Sequence, residues 1–317
     1  MASLKAIRNR IVSVKNTRKI TRAMKLVAAA KLKRAQDAMI AARPYTAAIS
    51  KVVSELADAA KDARSDDPVI DKQLQIVRKL FEPHPDPKTA GVVVITSDRG
   101  LAGAFNANVI KAVERAATGE LQGATEVTLR IIGKKANQHF GRRNANIASF
   151  DLAPAPASAL ALAREMANRI VDDFTTGKVD RVYVAYNEFK SAGSQVVRFT
   201  QILPIVPESR NESDSLRSRP ETTAVSTGTD LANYVYEPSK EALLVSLAPL
   251  YIQTLLYRAS LESVAAFFGA QMMAMENATK NAGDMITRYT LQYNRARQAS
   301  ITKELAEIVG GAEALKG

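Results

Sequence analysis

IRNRIVSVKNTRKITRAMKLVAAAKLKRAQ, residues 7–36, is the stretch that decides the fold, because it joins a helical apolar pattern to an unusual charge. Spacings of three and four residues, typical of a coiled-coil seam, separate Leu4, Ile7, Ile11 and Val14. This pattern predicts one long helix over residues 3–62. Beyond Val14 we expect the seam to shift to a stripe that contains alanines and one lysine: Ile20, Met24, Val27, Ala28, Lys31 and Ala35.

The N-terminal segment is strongly basic. Residues 1–43 contain 12 Lys and Arg residues and one acidic residue, Asp37, so this segment carries +11 of the formal net charge of +12. Such a concentrated charge indicates nucleic acid, an anionic membrane or an acidic protein surface as partner. The aromatic side chains that stack on nucleic-acid bases are missing before Tyr45. A transit peptide is also basic, but a coiled-coil seam favours permanent packing over cleavage. A helix that faces an acidic protein surface would use both the basic charge and the seam.

A second long helix is predicted at the other end of the chain, from about residue 239 to residue 315. A helix of roughly 60 residues spans about 90 Å, which is more than a compact domain needs. No apolar run in the sequence approaches the roughly 18–20 residues of a membrane span, so this helix must lie against another helix or inside a partner. We therefore expect the two end helices to pair as an antiparallel coiled coil.

The middle of the chain alternates between strands and helices. Strands are predicted at 92–96, 127–133, 179–189 and 195–205, and helices at 104–117 and 158–174. This alternation indicates a mostly parallel sheet in a central Rossmann-like α/β domain. The last two strands are expected to pair antiparallel, because five residues between them are too few for a helical crossover.

We thus predict an α/β fold in which an antiparallel coiled coil of long terminal helices accompanies the central domain. The expected divisions are an N-terminal coiled-coil helix over 1–65, an α/β domain over 66–238 and a C-terminal coiled-coil helix over 239–317. Residues 207–230 are rich in Ser, Thr, Glu, Arg and Pro, which indicates a flexible insertion in the α/β domain.

ITSDRGLAGAFN, residues 95–106, lies where a strand leads into a helix, as phosphate-binding loops do. The stretch has Gly100 and Gly103 but neither the Lys-Ser/Thr pair of a Walker loop nor the three glycines of a dinucleotide loop. We interpret it as a structural turn, in which Asp98 caps a helix or pairs with Arg99. The chain has no cysteine and two histidines, so metal sites built on such residues are excluded. We predict no catalytic, cofactor or metal site.

Three motifs resemble those of the γ subunit of F-type rotary ATP synthase, bacterial type. The C-terminal ITKELAEIVGGAEAL, residues 301–315, is similar to a family signature, which is matched at Thr302, Glu304, Glu307, Gly311 and Ala312. Residues 7–36 and TSDRGLAGAFN, residues 96–106, resemble two further hallmarks. The three motifs occur in the family's order at both ends and in the middle, so the resemblance covers the full length.

The resemblance implies a non-catalytic rotor. In the family the coiled coil stands inside a ring of alternating α and β subunits, and the α/β domain lies near the ε subunit and the membrane ring of c subunits. Rotation of the c-ring turns the shaft, which drives the catalytic β sites through their affinity states. The resemblance further implies no bound nucleotide or cofactor, and a position at the cytoplasmic face of the bacterial plasma membrane. It also removes the transit-peptide interpretation.

Six residues match family contacts with the α/β ring. Met24 and Lys25 match a contact near an acidic loop of β, and four more match contacts higher in the ring: Arg297, Gln298, Thr302 and Glu304. AFFGAQMMAM, residues 266–275, departs from the family's SEQSARMMAM, with Gln271 in place of an arginine. Two alternative functions remain: a nucleotide-using α/β enzyme with coiled-coil arms, and a basic coiled-coil adaptor for nucleic acid.

Overall fold

The computed structural model describes residues 4–60, 67–206, 237 and 239–314. The elements follow one another as α1 (Leu4–Ala60), α2 (Pro68–Lys79), β1 (Thr89–Ile95), α3 (Phe105–Ala116), β2 (Glu126–Ile132), α4 (Lys134–Gly141), β3 (Ile147–Asp151), α5 (Ala159–Thr175), β4 (Arg181–Ser191), β5 (Ser194–Leu203) and α6 (Lys240–Ala314). The expected insertion at 207–230 lies outside the described residues.

The two terminal helices pair antiparallel along most of their length, and we call this pair the rod. Lys25 of α1 bonds Glu276 of α6, and Thr21 lies against Thr279, so residue numbers fall along α6 as they rise along α1. α6 has 75 residues, close to the predicted span of 239–315, and is about 110 Å long. Both helices continue through an internal proline, Pro44 in α1 and Pro249 in α6.

The central sheet has the strand order β3-β2-β1-β4-β5. The first four strands are parallel, and β5 pairs antiparallel with β4 across a short turn, as expected. Six of the seven residues of β1 are buried, because helices cover both faces of the sheet. The fold predicted from the sequence, a central α/β domain with a coiled coil of terminal helices, is therefore confirmed.

Two elements of the sheet region were not predicted, α4 and β3. The short helix α4 (KKANQHFG) buries only Ala136 and Phe140, so its apolar signal is weak. The strand β3 (IASFD) lies at the edge of the sheet, where no residue of it is fully buried. Short elements with few buried side chains carry little hydrophobic pattern for a sequence to reveal.

Three apolar cores hold the molecule together. One lies between one sheet face and the helices α2, α5 and α6, with Ile49, Val53 and Leu56 contributed by α1. Another lies between the opposite face and the helices α3 and α4. A third forms where the rod meets the α/β domain, and it unites Leu32, Ala35, Met39, Ala102, Phe105, Ala159, Phe189, Leu261, Ala265, Ala266 and Phe267. The rod and the α/β domain therefore share buried surface.

The predicted shift of the α1 seam is wrong. The spacing of three and four residues continues unchanged after Val14, through Arg18, Thr21, Lys25, Ala28, Leu32, Ala35 and Met39, and the Thr21 side chain and the last four of these are buried. Of the six residues that we expected in the shifted stripe, Ala28 and Ala35 are buried and Met24 is partly buried, whereas the other three are exposed: Ile20, Val27 and Lys31. The seam keeps its geometry even where the residues at seam positions are polar.

We expected no apolar run as long as a membrane span, but by length and composition α6 meets the criteria for one. α6 contains an 18-residue window with a mean hydropathy of 1.3 and few charged residues. About 44% of that window is buried inside the protein, against the sheet and α1. The core helix of a soluble protein has the same character, so this window is weak evidence for a membrane span.

Candidate functional site

In one section of the rod, residues 18–30 of α1, polar residues occupy the seam and apolar residues face outward; we call this the inside-out section. At seam positions α1 carries Arg18, Thr21 and Lys25, whereas its outer face carries an apolar stripe. We call this stripe, made of Ile20, Ala23, Val27 and Ala30, the outer stripe, and all four residues are exposed. Ile20 and Val27 are each more than half exposed, as is the adjacent Leu26. Exposed apolar surface of this kind marks an interaction site.

Polar contacts across the seam replace apolar packing in this section. The ammonium of Lys25 donates to Glu276 Oε1 at 2.6 Å, and the hydroxyl oxygens of Thr21 and Thr279 lie 2.8 Å apart. A Cβ atom on Gly283 would lie 3.9 Å from the guanidinium carbon of Arg18, so the arginine passes over a position without a side chain. Helix pairing is thus maintained although the outer stripe is left for another partner.

The C-terminal end of α6 extends beyond its partner helix. Ser300 is the last half-buried residue, and residues 301–311, which we call the free tip, are all exposed. Four apolar side chains of the free tip are each more than half exposed: Ile301, Leu305, Ile308 and Val309. Ile301, Leu305 and Ile308 share one helical face. A single helix with such a face requires a surrounding surface to cover it.

The six residues predicted to contact a partner fall in two separate zones. Met24 and Lys25 are partly buried in the inside-out section, and Lys25 is already paired with Glu276. The remaining four are exposed at or near the free tip: Arg297, Gln298, Thr302 and Glu304. Roughly 30 Å of helix separates Glu276 from Arg297. The structure therefore does not bring the two sets together.

The polar side chains near the free tip bond within their own helix. Thr302 Oγ1 donates to the carbonyl oxygen of Gln298 at 2.9 Å, and Ser300 Oγ donates to Glu304 Oε1 at 3.1 Å. These bonds leave the Gln298 amide and the guanidinium of Arg297 at the surface. The arrangement suits hydrogen bonding to a surrounding protein.

The turn at residues 95–106 lies at the crevice where doubly wound folds bind ligands. Such ligands sit beyond the carboxyl ends of the strands, where the strand order reverses. In this sheet that point lies between β1 and β4. Side chains from the turn, from β4 and from the rod occupy it, and the rings of Phe105 and Phe267 meet edge to face at 5.5 Å. The crevice is therefore a packing interface between the α/β domain and the rod.

Polar groups of the turn are used internally. Asn106 Oδ1 accepts from the Ser97 amide at 2.9 Å, and Ser97 Oγ donates to the carbonyl oxygen of Arg99 at 2.6 Å. Asp98 Oδ1 accepts from the Lys134 amide at the start of α4, so Asp98 caps a helix that was not predicted and does not cap α3, the helix that follows the turn. Gly103 has a φ of +57°, whereas Gly100 is not among the glycines with positive φ. The structural interpretation of the turn agrees with these contacts.

Sequence reasoning missed a charged cluster where the rod joins the α/β domain. Arg258 Nε donates to Glu262 Oε1 at 2.8 Å within α6, while Glu262 Oε2 is buried and has no hydrogen-bond partner. On β4, Glu188 is paired with Lys190 and, at 2.7 Å, with Arg198 of β5. The signal in the sequence was a pair of opposite charges four residues apart, Arg258 and Glu262, in an otherwise apolar stretch of α6.

Different forces act on the two carboxyl groups of this cluster. Burial raises the pKa of Glu262, and the opposing attraction of Arg258 does not cancel this effect. Burial also acts to raise the pKa of Glu188, but hydrogen bonds from Lys190 and Arg198 outweigh it and hold the pKa below its usual range. In the described part of the chain, no group of three or more His, Asp or Glu side chains is arranged to hold a metal ion.

Comparison with known proteins identifies the family. The family model described as ATP synthase matches residues 3–315. The ATP synthase gamma chains of Anaeromyxobacter dehalogenans (strain 2CP-1 / ATCC BAA-258) and Geobacter metallireducens are 44% and 42% identical, and each alignment covers 100% of both chains.

Solved structures give the same result for the fold. A chain of the Tetrahymena thermophila mitochondrial ATP synthase central stalk and c-ring has a TM-score of 0.54 and 26% identity, over 82% of this chain and 99% of that one. A chain of the Euglena gracilis mitochondrial ATP synthase has a TM-score of 0.62 and 19% identity, over 98% and 94%, which speaks for the fold alone. Taken with the sequence matches, these findings show that the chain belongs to the ATP synthase gamma chain family.

Proposed function

We propose that the chain is the central shaft of an F-type ATP synthase, which couples rotation of the c-ring to the conformational cycle of the catalytic β subunits. As a member of the gamma chain family, the chain is a subunit of ATP synthase, a membrane-associated complex. The observation that carries the proposal is the rod with its apolar outer stripe and free tip. A rotating shaft needs such exposed surfaces, because a surrounding sleeve of subunits covers them.

The chain acts as a non-catalytic subunit in this proposal. The crevice that would hold a nucleotide is filled by Ala102, Phe105 and Phe267. Nucleotide chemistry then takes place on the neighbouring β subunits, and this chain supplies torque and asymmetry. Residues 1–65 and 239–317 serve as the two strands of the shaft, and residues 66–238 serve as the domain that connects it to the driven end.

The proposed partners are the α and β subunits of the catalytic head, three of each, together with the ε subunit and the c-ring. One copy of the chain serves each complex, at the cytoplasmic face of the bacterial plasma membrane, without nucleic acid. The basic N-terminal half of α1 supports an acidic protein partner, because residues 1–43 carry a net charge of +11.

Two zones of the rod would contact the α/β ring. The lower zone contains Met24 and Lys25 beside the outer stripe, and the upper zone contains Arg297, Gln298, Thr302 and Glu304 beside the free tip. Both zones combine exposed apolar side chains with polar groups. Apolar contact supplies affinity at each zone, and the polar groups select the angular position of the shaft.

A rotation assay with the reconstituted complex tests the proposal. The chain has no cysteine, so Lys111→Cys on the exposed face of α3 gives a single attachment point for a bead. We expect the variant, mixed with α and β subunits, to form a complex that hydrolyses ATP while the bead turns in one direction. Hydrolysis with a stationary bead, or failure of the chain to join α and β, would contradict the proposal.

The same preparation tests the two alternatives. Tight binding of ATP to the chain without α and β would favour a nucleotide-using enzyme. Binding of DNA that weakens steeply with salt would favour a nucleic-acid adaptor. For a shaft we expect no ATP binding by the chain alone and, at physiological salt, no retention on DNA.

A further inference from the structure

Several ionisable side chains lie in the buried junction between the rod and the α/β domain, where burial disfavours charged groups. Five ionisable side chains surround Glu262: Arg258 on its own helix, Tyr186 and Glu188 on β4, Arg198 on β5 and Arg43 on α1. The junction is also tightly packed, since a Cβ atom on Gly269 of α6 would lie 3.2 Å from Cα of Ala192 in the β4–β5 turn. A change of charge here acts on two helices and a hairpin at once.

One carboxylate oxygen in this junction is unsatisfied. Glu262 is 7% exposed, and its Oε1 accepts from Arg258, but its Oε2 is buried without a donor. An unpaired oxygen costs much more when the carboxyl group is charged than when it is protonated. Arg198 and Lys190 already bond Glu188, so these two cations are committed to another carboxylate.

We propose that Glu262 is a proton-binding site, which holds the joint between the rod and the α/β domain together when protonated and loosens it when ionised. In the protonated form the cluster contains one carboxylate, Glu188, and Glu262 Oε1 still accepts from Arg258, while Oε2 no longer carries an unpaired negative charge. Loss of the proton to solvent as the pH rises places a second negative charge near Glu188 and Tyr186. The burial that raises the pKa of Glu262 supports this direction. The inference concerns the folded chain alone and does not depend on the proposed function.

The sign of the pH dependence follows from proton linkage. A carboxyl group whose pKa is higher in the folded state than in the unfolded state binds more protons when folded. Its contribution to stability is therefore present at low pH and is lost as the pH rises from the unfolded pKa through the folded pKa. The variant Glu262→Gln, which mimics the protonated form, should lack this loss.

Infrared difference spectroscopy and thermal unfolding of the full chain test the proposal. We expect the wild-type chain to keep a protonated-carboxyl band above the pH at which ordinary carboxyl groups ionise, and this band should be missing from Glu262→Gln and should disappear from the wild type as the pH rises further. At high pH, Glu262→Gln should melt at least about 2 °C above the wild type, and the two melting temperatures should converge as the pH falls to the unfolded pKa of about 4.3. Protection factors for hydrogen exchange, which correct for the base-catalysed intrinsic rate, should fall with rising pH in β4, β5 and residues 258–266 of the wild type but not in Glu262→Gln.

A matched control is Glu165→Gln, because Glu165 is an exposed carboxylate on α5 that pairs with Arg169. This variant should keep the band and follow the wild-type melting profile. Absence of a protonated band above the ordinary carboxyl range, or a melting difference between Glu262→Gln and the wild type that is constant across the pH range, would overturn the proposal. Uniform destabilisation of Glu262→Gln would likewise overturn it and would assign Glu262 to a permanent ion pair with Arg258.

Discussion

The ammonium of Lys25 lies 2.6 Å from Glu276 Oε1 and joins the two helices of the rod at a seam position. Both side chains are more than a third exposed, so water screens the attraction between the two charges. Lys25 was predicted to contact an acidic partner, and within the chain its charge is already matched by Glu276. Any acidic partner must share or displace Glu276.

We expect the Lys25–Glu276 pair to contribute little to stability. Lys25→Ala and Glu276→Ala should each change the free energy of unfolding by less than about 1 kcal/mol, and a double-mutant cycle should give a coupling of about 0.2–1 kcal/mol that shrinks with salt. Urea unfolding of the four chains measures this. A salt-independent coupling above about 2 kcal/mol would show that the pair is effectively buried.

Near the free tip, Gln298→Ala and Thr302→Ala should lower coupled ATP synthesis and leave the fold intact. Both residues are exposed, so their replacement should change the free energy of unfolding by about 0.5 kcal/mol or less. Synthesis by reconstituted vesicles measures the effect. Thr290→Ala is the control, because Thr290 makes the same bond to its own helix, to the carbonyl oxygen of Ile286. Unchanged synthesis in both tip variants would argue against the upper contact zone.

The apolar face of the free tip should be dispensable for folding but needed for assembly. The triple variant Ile301→Gln, Leu305→Gln and Ile308→Gln removes exposed apolar surface, so the chain alone should unfold at the same urea concentration as the wild type. Its binding to α and β subunits should weaken at least tenfold, as loss of an apolar anchor predicts. Sedimentation of the mixed subunits measures this binding, and wild-type affinity in the triple variant would count against a covering sleeve at the free tip.

Gly133 is required by the backbone where β2 leads into α4. Its φ is +101°, and a Cβ atom would lie 2.3 Å from the carbonyl oxygen of Thr96. Gly133→Ala should therefore lower the free energy of unfolding by about 3 kcal/mol or more. Gly141→Ala at the end of α4 is the control, because a Cβ atom there meets open space, and it should stabilise the chain by up to about 1 kcal/mol. Equal stabilities for the two variants would refute this account.

Asp180 should make the chain sensitive to acid. Burial acts to raise the pKa of Asp180, but hydrogen bonds from Thr89 and Lys88 and the contact with His84 outweigh it and lower the pKa to about 2. The unfolded state, with a pKa of about 3.9, binds more protons, so this stabilisation is present above about pH 5 and is lost as the pH falls towards 2.

Asp180→Asn tests that pH dependence. The variant should be about 2 kcal/mol less stable than the wild type at pH 7, and the difference should vanish near pH 2. Asp172→Asn, at an exposed position on α5, should change stability by less than about 0.5 kcal/mol at any pH. Urea unfolding at several pH values gives the comparison. A difference between Asp180→Asn and the wild type that does not depend on pH would exclude the ionised carboxylate as its source.

Local patterns revealed the main elements of this fold. The spacing from Leu4 to Val14 predicted the coiled coil, and the apolar runs that became β1 and β4 predicted the sheet. The shift of the seam was predicted wrongly because we placed apolar residues inside. The seam instead keeps its spacing through Arg18 and Lys25, since a partner helix with Gly283 and Glu276 makes room for them.

Long-range packing accounts for what the sequence did not reveal at the candidate site. Arg258 and Glu262 form a charged pair on an apolar stretch of α6, and burial together with Glu188 of β4 and Arg43 of α1 gives Glu262 its unusual environment. In the same way, Gly133 carries no motif, and its role depends on Thr96, which lies 37 residues earlier and beside it in the sheet. Such positions follow from the assembled fold and from no short stretch of sequence.

The antiparallel pairing of the first helix with the last also constrains how the chain is made. Lys25 and Glu276 are 251 residues apart, so α1 leaves the ribosome long before its partner has been synthesised. Until then its seam, from Ile7 to Met39, has no α6 to cover it, while the sheet between the two helices can already fold. We therefore expect nascent chains to depend on a chaperone until the final quarter of the protein has emerged.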